Sequence, residues 1–322
     1  MYIYLFKMRA LVTGSTGFIG SYVVQKILKD TDWTVVGLER LSFSGDQNRL
    51  TKHERYVSVH HNLQSAIPES VAERIGQVDY IIHIAASSHV DRSIEDPMSF
   101  VLDNVVGTCN ILNFARTQTS LKKFLYFSTD EVFGPCEESN EPFDEYDRYN
   151  STNPYSASKA GGEELAVAFR NTYKIPISVT HTMNVFGKSQ HPEKFIPMCF
   201  SKIENGETIQ IHADSSKSKA GSRFYIHGDD VADAVLFVLA LDDFKETVCP
   251  KYNIVGEREM NNYDLALLIS KIVDKPLNYE FVDFHSSRPG HDLRYAISGK
   301  KLAALGWLPK LSLESRLSEL KK

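Results

Sequence analysis

Tyr155 and Lys159 stand four residues apart in Asn153-Pro154-Tyr155-Ser156-Ala157-Ser158-Lys159, a spacing suited to proton chemistry. A helix would place both on one face; Asn153 suits its cap and Pro154 its first turn. A phenol has an ordinary pKa of ~10 and is a poor base near neutral pH. A neighbouring ammonium, and any further positive charge at the site, would stabilise the phenolate. Tyr155 would then take a proton from a hydroxyl group. The same spacing also occurs in surface pairs, so the decision rests on other segments.

A second set is Thr129, Asp130 and Glu131, in Ser128-Thr129-Asp130-Glu131-Val132-Phe133-Gly134 after an apolar run. Adjacent carboxyl groups in one pocket need not share a pKa, because burial and like charge push one of them up. One would serve as acid and the other as base. A solvated turn is the plain alternative.

A third set is Thr13-Gly14-Ser15-Thr16-Gly17-Phe18-Ile19-Gly20. Here Gly14, Thr16, Gly17, Phe18, Ile19 and Gly20 bridge an apolar strand and a helix, where backbone N–H groups meet a pyrophosphate. The bound nicotinamide of such a cofactor supplies the extra positive charge near Tyr155 and accepts a hydride. Glu39 ends the next expected strand and suits a ribose diol, which favours NAD over its 2′-phosphorylated form. Arg40 is beside it, and Asn62 and Leu63 could border the adenine.

These residues need a scaffold. Strands are expected over 9–13, 33–38, 55–60, 80–85, 124–128 and 177–182. Helices are expected over 18–28, 98–116, 156–170 and 229–241, with smaller ones over 261–273 and 313–320. Strands alternating with helices predict an α/β fold, a doubly wound parallel (Rossmann) sheet with a smaller C-terminal α/β substrate domain. The expected division is 1–182 with 228–249 for the dinucleotide and 183–227 with 250–322 for the substrate. The segment 136–153 is acidic and polar and is expected to be a long surface loop.

With 322 residues and 42% hydrophobic content, the chain can build a large core. A net charge of −5 argues against a nucleic-acid partner. The four cysteines form no CxxC and the eleven histidines no metal-ligand spacing, so no metal is expected. The apolar start lacks the order of a signal peptide. The stretch 231–241 is too short to span a membrane and contains Asp233. A reducing, cytoplasmic setting is the expectation.

Taken together, the motifs resemble the extended short-chain dehydrogenase/reductases, and within them the dTDP-glucose 4,6-dehydratases. The likeness spans nearly the whole chain. Ser88-His89-Val90-Asp91-Arg92-Ser93-Ile94 and Asp103-Asn104-Val105-Val106-Gly107-Thr108 are similar to that family's segment after the fourth strand. Asn184-Val185-Phe186-Gly187, the run from His191 to Pro197, Tyr252-Asn253-Ile254 and Ser287-Arg288-Pro289-Gly290-His291-Asp292-Leu293-Arg294-Tyr295 are similar to its substrate-binding stretches.

The resemblance implies a mechanism. Tyr155 deprotonates the C4 hydroxyl of a nucleotide-hexose as hydride passes to NAD, with Lys159 in support and Thr129 bonded to the same oxygen. Glu131 then removes the C5 proton, and Asp130 protonates the departing C6 hydroxyl. Hydride returns to C6, so NAD stays tightly bound and is regenerated each cycle. It further implies that Ala85, Ala86 and Asn104 line the cofactor. Ser88, His89, Asn184, Lys194, Arg223, Asn253, Arg288 and His291 would hold the substrate, and a homodimer is implied.

The pattern is not followed everywhere. Met183 stands where those dehydratases tend to have a second asparagine, and Glu39-Arg40 replaces a commoner Asp-Lys. The nucleotide (dTDP or UDP) and the sugar (glucose or N-acetylglucosamine) stay open. A C4 epimerase or uronate decarboxylase on the same scaffold, or a silent NAD-sensing protein, are the alternative readings.

Overall fold

The computed structural model describes residues 7–40, 46–49, 52–137, 141–283 and 293–321. In chain order the first half runs β1 (Arg9–Thr13), α1 (Phe18–Asp30), β2 (Thr34–Glu39), β3 (Tyr56–His60), α2 (Glu69–Ile75), β4 (Tyr80–His83), α3 (Val90–Glu95) and α4 (Pro97–Val101). A π-helical turn (Leu102–Val106), α5 (Gly107–Ala115), β5 (Lys123–Thr129), a 3-10 turn (Asp130–Phe133), α6 (Pro154–Tyr173) and β6 (Ile177–Thr182) come next. Then come β7 (Asn184–Phe186), α7 (Phe195–Asn205), β8 (Ile209–Ala213), β9 (Ser222–His227), α8 (Gly228–Ala240) and β10 (Lys251–Ile254). The chain ends with β11 (Glu259–Asn261), α9 (Asn262–Val273), β12 (Tyr279–Asp283), α10 (Lys300–Ala304) and α11 (Leu313–Ser318).

Among the described residues the main sheet has seven strands in the order β10-β6-β5-β4-β1-β2-β3. β1 pairs in parallel with both β2 and β4. The strand order reverses between β1 and β4, and ligands of such sheets bind beyond the carboxyl ends at that point. β5 (KFLYFST) is buried along its length, as a parallel central strand covered on both faces requires.

The chain separates into two compact units. The first comprises Met1–Ser128, Pro154–His181 and Val231–Tyr252. Its core gathers Leu11, Val36, Leu38, Ile81, Ile111, Phe124, Tyr126, Ala166 and Val179. The second comprises Thr129–Asn153, Thr182–Asp230 and Asn253–Lys322. It holds the three-stranded sheet β11-β9-β7 and the pair β12-β8, with α7, α9 and α11 packed through Ile196, Phe200, Leu265, Ile269 and Leu317.

Two expectations change here. The segment Thr129–Asn153, expected with the dinucleotide-binding part, groups with the second unit. The cause is backbone pairing: Cys136 N–H donates to the Arg294 carbonyl and Phe143 N–H to the Ala296 carbonyl. The helix expected over 98–116 is one unbroken run over 97–115, but its bonding changes to a π turn at Leu102–Val106. Its π turn presents Asp103 and Asn104 inward, where both side chains are bonded to neighbouring segments. Such π turns inside helices frequently accompany functional sites.

Candidate active site

The turn between β1 and α1 is built for an anion. Gly14 has φ +70°, a region where an L side chain is strained. Its N–H donates to the Leu38 carbonyl at 2.8 Å. A Cβ at Gly20 would collide with the Gly14 carbonyl, so only glycine lets α1 approach the turn. Gly17 caps α1 without a side-chain bond, and no acid sits in its first turn. The N–H groups of Phe18 and Ile19 lie in that first turn, which lacks intrahelical acceptors. Thr16 is buried and its carbonyl accepts from Arg49. Ala85 packs against Gly14. The backbones of Ile84 and Ala85 both donate to Thr13 Oγ1 at 3.1 Å; Ala86 comes next, half-buried. These residues fit a dinucleotide.

Two expected cofactor contacts take another role. The Glu39 carboxylate is buried and turned inward, accepting from Ser15 Oγ at 3.1 Å and from Ser58 Oγ. Asn104 is 1% exposed. Its Oδ1 accepts from Ser87 N–H at 2.8 Å, and its Nδ2 donates to the Ser87 carbonyl and to Ser158 Oγ. Asn104 therefore ties the chain after β4 to α6, and its polar atoms are used within the protein. Arg40 is exposed and grips Asp103 through two bonds of 2.8 and 2.7 Å, with a longer one to Asn62. Asp103 also accepts from Gln64 and Ser87, and these partners hold its carboxyl below the usual range despite burial. Leu63 is half-buried, and its carbonyl accepts from Asn110.

Tyr155 and Lys159 lie on one face of α6 and are both buried. The Tyr155 ring packs with Val90 and edge-on to Phe100, and its N–H donates to Ser93 Oγ. The Lys159 Nζ donates to the Phe127 carbonyl at 2.6 Å and sits 4.5 Å from the Tyr126 ring centre. Burial pulls this amine down from 10.5 to about 7, opposed by the charge of Glu163. His83 is bonded to Thr13 and Thr108, and burial with the Lys159 charge pushes it down to about 3, so it is neutral. Ser88 is exposed, and His89 stands just before α3, its Nδ1 3.9 Å from Asp91.

In the second unit, Thr129 caps the turn that carries the acids. Its Oγ1 donates to Asp130 Oδ1 at 3.1 Å and accepts from Glu131 N–H. Asp130 is 5% exposed, and its Oδ2 is buried without a hydrogen-bond partner among the described residues. Burial first, then the Glu131 charge, raise its carboxyl from 3.8 to about 7, with Arg223 opposing. Glu131 is half-buried and accepts from Asn153 Nδ2 at 3.3 Å. One carboxyl group is thus raised to the neutral range with a second carboxyl group next to it. The turn closes at Gly134, φ +77°, against the Asn150 carbonyl.

The expected substrate contacts diverge. Asn184 and Lys194 are exposed. Arg223 donates to the Ser222 and Leu293 carbonyls and stacks 4.6 Å from the Tyr295 ring centre. Asn253 is corrected: it is 0% exposed, and its Nδ2 donates to the Phe143 and Ser298 carbonyls. It fastens backbone segments and does not open to a ligand. Arg288 and His291 lie outside the described residues. A trio of His227, Asp229 and Glu319 comes within 4.8 Å, but Arg316 already bonds both acids. Glu163 and Asp103 were not singled out from the sequence. Glu163 continues the four-residue spacing of Tyr155 and Lys159, a signal that was available.

A doubly wound sheet with a glycine turn and a buried Tyr-Lys pair defines an NAD-dependent nucleotide-binding enzyme. The model of the NAD dependent epimerase/dehydratase family matches residues 10–254, and the chain belongs to that family. The chain is 36% identical to dTDP-glucose 4,6-dehydratase 1 of Escherichia coli, over 96% of this chain and 90% of that one. It is 37% identical to a low-salt glycan biosynthesis protein of Haloferax volcanii, covering 96% of each. Its fold is similar to the crystal structure of the dTDP-glucose 4,6-dehydratase DesIV from Streptomyces venezuelae with NAD bound. The TM-score is 0.85 at 31% identity, over 97% of this chain and 95% of that one. No helix among the described residues is long and apolar enough to cross a membrane.

Proposed function

We propose that the chain is a nucleotide-sugar 4,6-dehydratase. The observation that carries this is Asp130: a buried carboxyl group, raised to about 7, with one oxygen unpartnered among the described residues and Glu131 next to it. Oxidation at one carbon needs only Tyr155 and Lys159. A buried acid kept protonated beside a second carboxylate is what loss of water needs in addition.

The glycine turn, with Gly14, Gly17 and the first-turn N–H groups of α1, would hold the NAD pyrophosphate. When bound, NAD supplies a reversible two-electron acceptor. Tyr155 takes the proton of the C4 hydroxyl, helped by the Lys159 ammonium. Thr129 bonds the same oxygen. The C4 ketone acidifies the C5 hydrogen, which Glu131 removes. Asp130 protonates the C6 hydroxyl, which leaves as water. With hydride given back at C6 and a proton at C5, the net change would be loss of one water without net oxidation, so NAD stays bound through the cycle. The product is a 4-keto-6-deoxy sugar nucleotide. Lys194, Arg223 and Arg288 suit the diphosphate, arginine by its forked geometry.

dTDP-glucose, UDP-glucose and UDP-N-acetylglucosamine are the substrates to compare. Mass spectrometry after incubation with each should show loss of one water from at least one. Intact substrate in all three would sink the proposal. Unchanged turnover in Asp130→Asn and Glu131→Gln would instead point to an epimerase or decarboxylase.

The proposed assembly is a homodimer. Ile94, Met98, Val101 and Leu102 form an exposed apolar run through α3, α4 and the π turn, with Met98 62% exposed. Light scattering should give twice the chain mass; a monomer would contradict it.

A further inference from the structure

Glu163 sits one helical turn beyond Lys159 on α6, so Tyr155, Lys159 and Glu163 succeed one another at four-residue steps on one face. Its side chain is 0% exposed. A lone carboxylate there would be strongly destabilised, because a buried charge needs a partner to replace its lost hydration. It is held on two sides. Lys251 on β10 reaches Oε1 at 2.9 Å, and His181 Nε2 on β6 lies 3.2–3.3 Å from both oxygens. Tyr126 on β5 and Cys249 before β10 are its other titratable neighbours, both pushed up by burial and by Glu163. Facing Lys159 are Tyr126, His83 and the Phe127 carbonyl, with Glu163 on its own helix.

The largely buried Lys251 ammonium needs an acid as its partner, and the same carboxylate stands one helical turn from Lys159. What the carboxylate does electrostatically is specific. Lys159 is buried, which disfavours its charge, and His83 is neutral and contributes nothing to offset that. Glu163 is the charge that opposes the burial. Coulomb attraction falls with distance, so the carboxylate acts on Lys159 more than on Tyr155, two turns away.

We propose that Glu163 is a positioning residue that raises the charged fraction of the Lys159 amine, with Lys251 and His181 locking its carboxylate in place. This rests on the reading that Tyr155 and Lys159 carry out the first step. Without Glu163, nothing on α6 opposes the burial, so Lys159 gives up its proton at lower pH and the Tyr155 phenolate has less of its stabilising cation at neutral pH.

The test is ultraviolet titration of tyrosinate in the NAD-loaded protein, with Tyr155 isolated by subtracting Tyr155→Phe. In Glu163→Gln the Tyr155 midpoint should move up by about one pH unit, and kcat at neutral pH should fall roughly tenfold with KM little changed. Glu163→Asp should shift it less, in the same direction, and carries the test if the glutamine variant does not fold. In a Lys159→Arg background, whose cation does not titrate, Glu163→Gln should leave the midpoint unmoved. A wild-type midpoint in folded Glu163→Gln, or in Glu163→Asp where that variant stands in, overturns the inference. Wild-type protein inert towards every nucleotide sugar would refute the dehydratase reading alone, since the titration needs no sugar.

Discussion

Replacing Asp130 by asparagine keeps the shape of the side chain and removes its proton-donating acid. At pH 7 a carboxyl group with a pKa of about 7 is half protonated, whereas one at 3.8 is protonated in about one molecule in 1,600. The pocket therefore raises the supply of acid by a factor of about 800. A loss on the order of 10³ in water elimination is expected for Asp130→Asn, inside the usual range for general acids. Rapid-quench mass spectrometry of the sugar nucleotide should show C4 oxidation persisting while dehydrated product falls. The fold supplies a second readout. The folded-state pKa of Asp130 is raised, so between about pH 4 and 7 the native state binds more protons than the unfolded one. Stability is therefore lost as pH rises through that window. Asp130→Asn should remove this loss and raise Tm at pH 8, by the equivalent of roughly 2–4 kcal/mol. Turnover within about threefold of wild type at pH 7, together with an unchanged Tm at pH 8, would refute the assignment of Asp130 as a buried acid.

Other outcomes rest on single contacts. Lys123 and Asp243 form a 2.7 Å ion pair with side chains 4% and 5% exposed, so Asp243→Asn strands a buried ammonium and should cost about 3–5 kcal/mol in denaturant titration. Gly20→Ala forces a methyl group onto the Gly14 carbonyl and should yield folded protein carrying little NAD, measured as cofactor released on denaturation. Lys159→Met should reduce kcat by roughly 10²-fold or more and move the acid limb of the pH profile upward, because Tyr155 loses its cation; an unmoved limb would contradict the role.

The parts of the fold legible in sequence are those with continuous apolar runs. Strands expected over 9–13 and 177–182 are found at those bounds as β1 and β6. The helix α2 was missed because its seven residues make only two turns, too few for the apolar face of Val71, Ala72 and Ile75 to show a period. β7 and β11 have three residues each, too short for any period to show. At the site, Tyr155, Lys159 and the Asp130-Glu131 turn were legible because local spacing carries their chemistry. Asn253 was not, because the Phe143 carbonyl that consumes its amide lies 110 residues away in sequence. Glu39 shows the same limit: an acid ending β2 suits a ribose, but Ser15 and Ser58 turn it inward.

The π turn over Leu102–Val106 carries one residue more than an α-helix of the same span would need. That surplus makes the turn a phase shifter: each residue added to or removed from a helix rotates the downstream turns by about 100°. Deleting Val105 would restore ordinary helical bonding between α4 and α5 at little cost in backbone hydrogen bonds. It would also turn α5 by that angle relative to Asp103 and Asn104, which Arg40, Gln64, Ser87 and Ser158 hold in place. A single-codon deletion here would thus set the bonding of the helix against the anchoring of the two side chains that the turn presents.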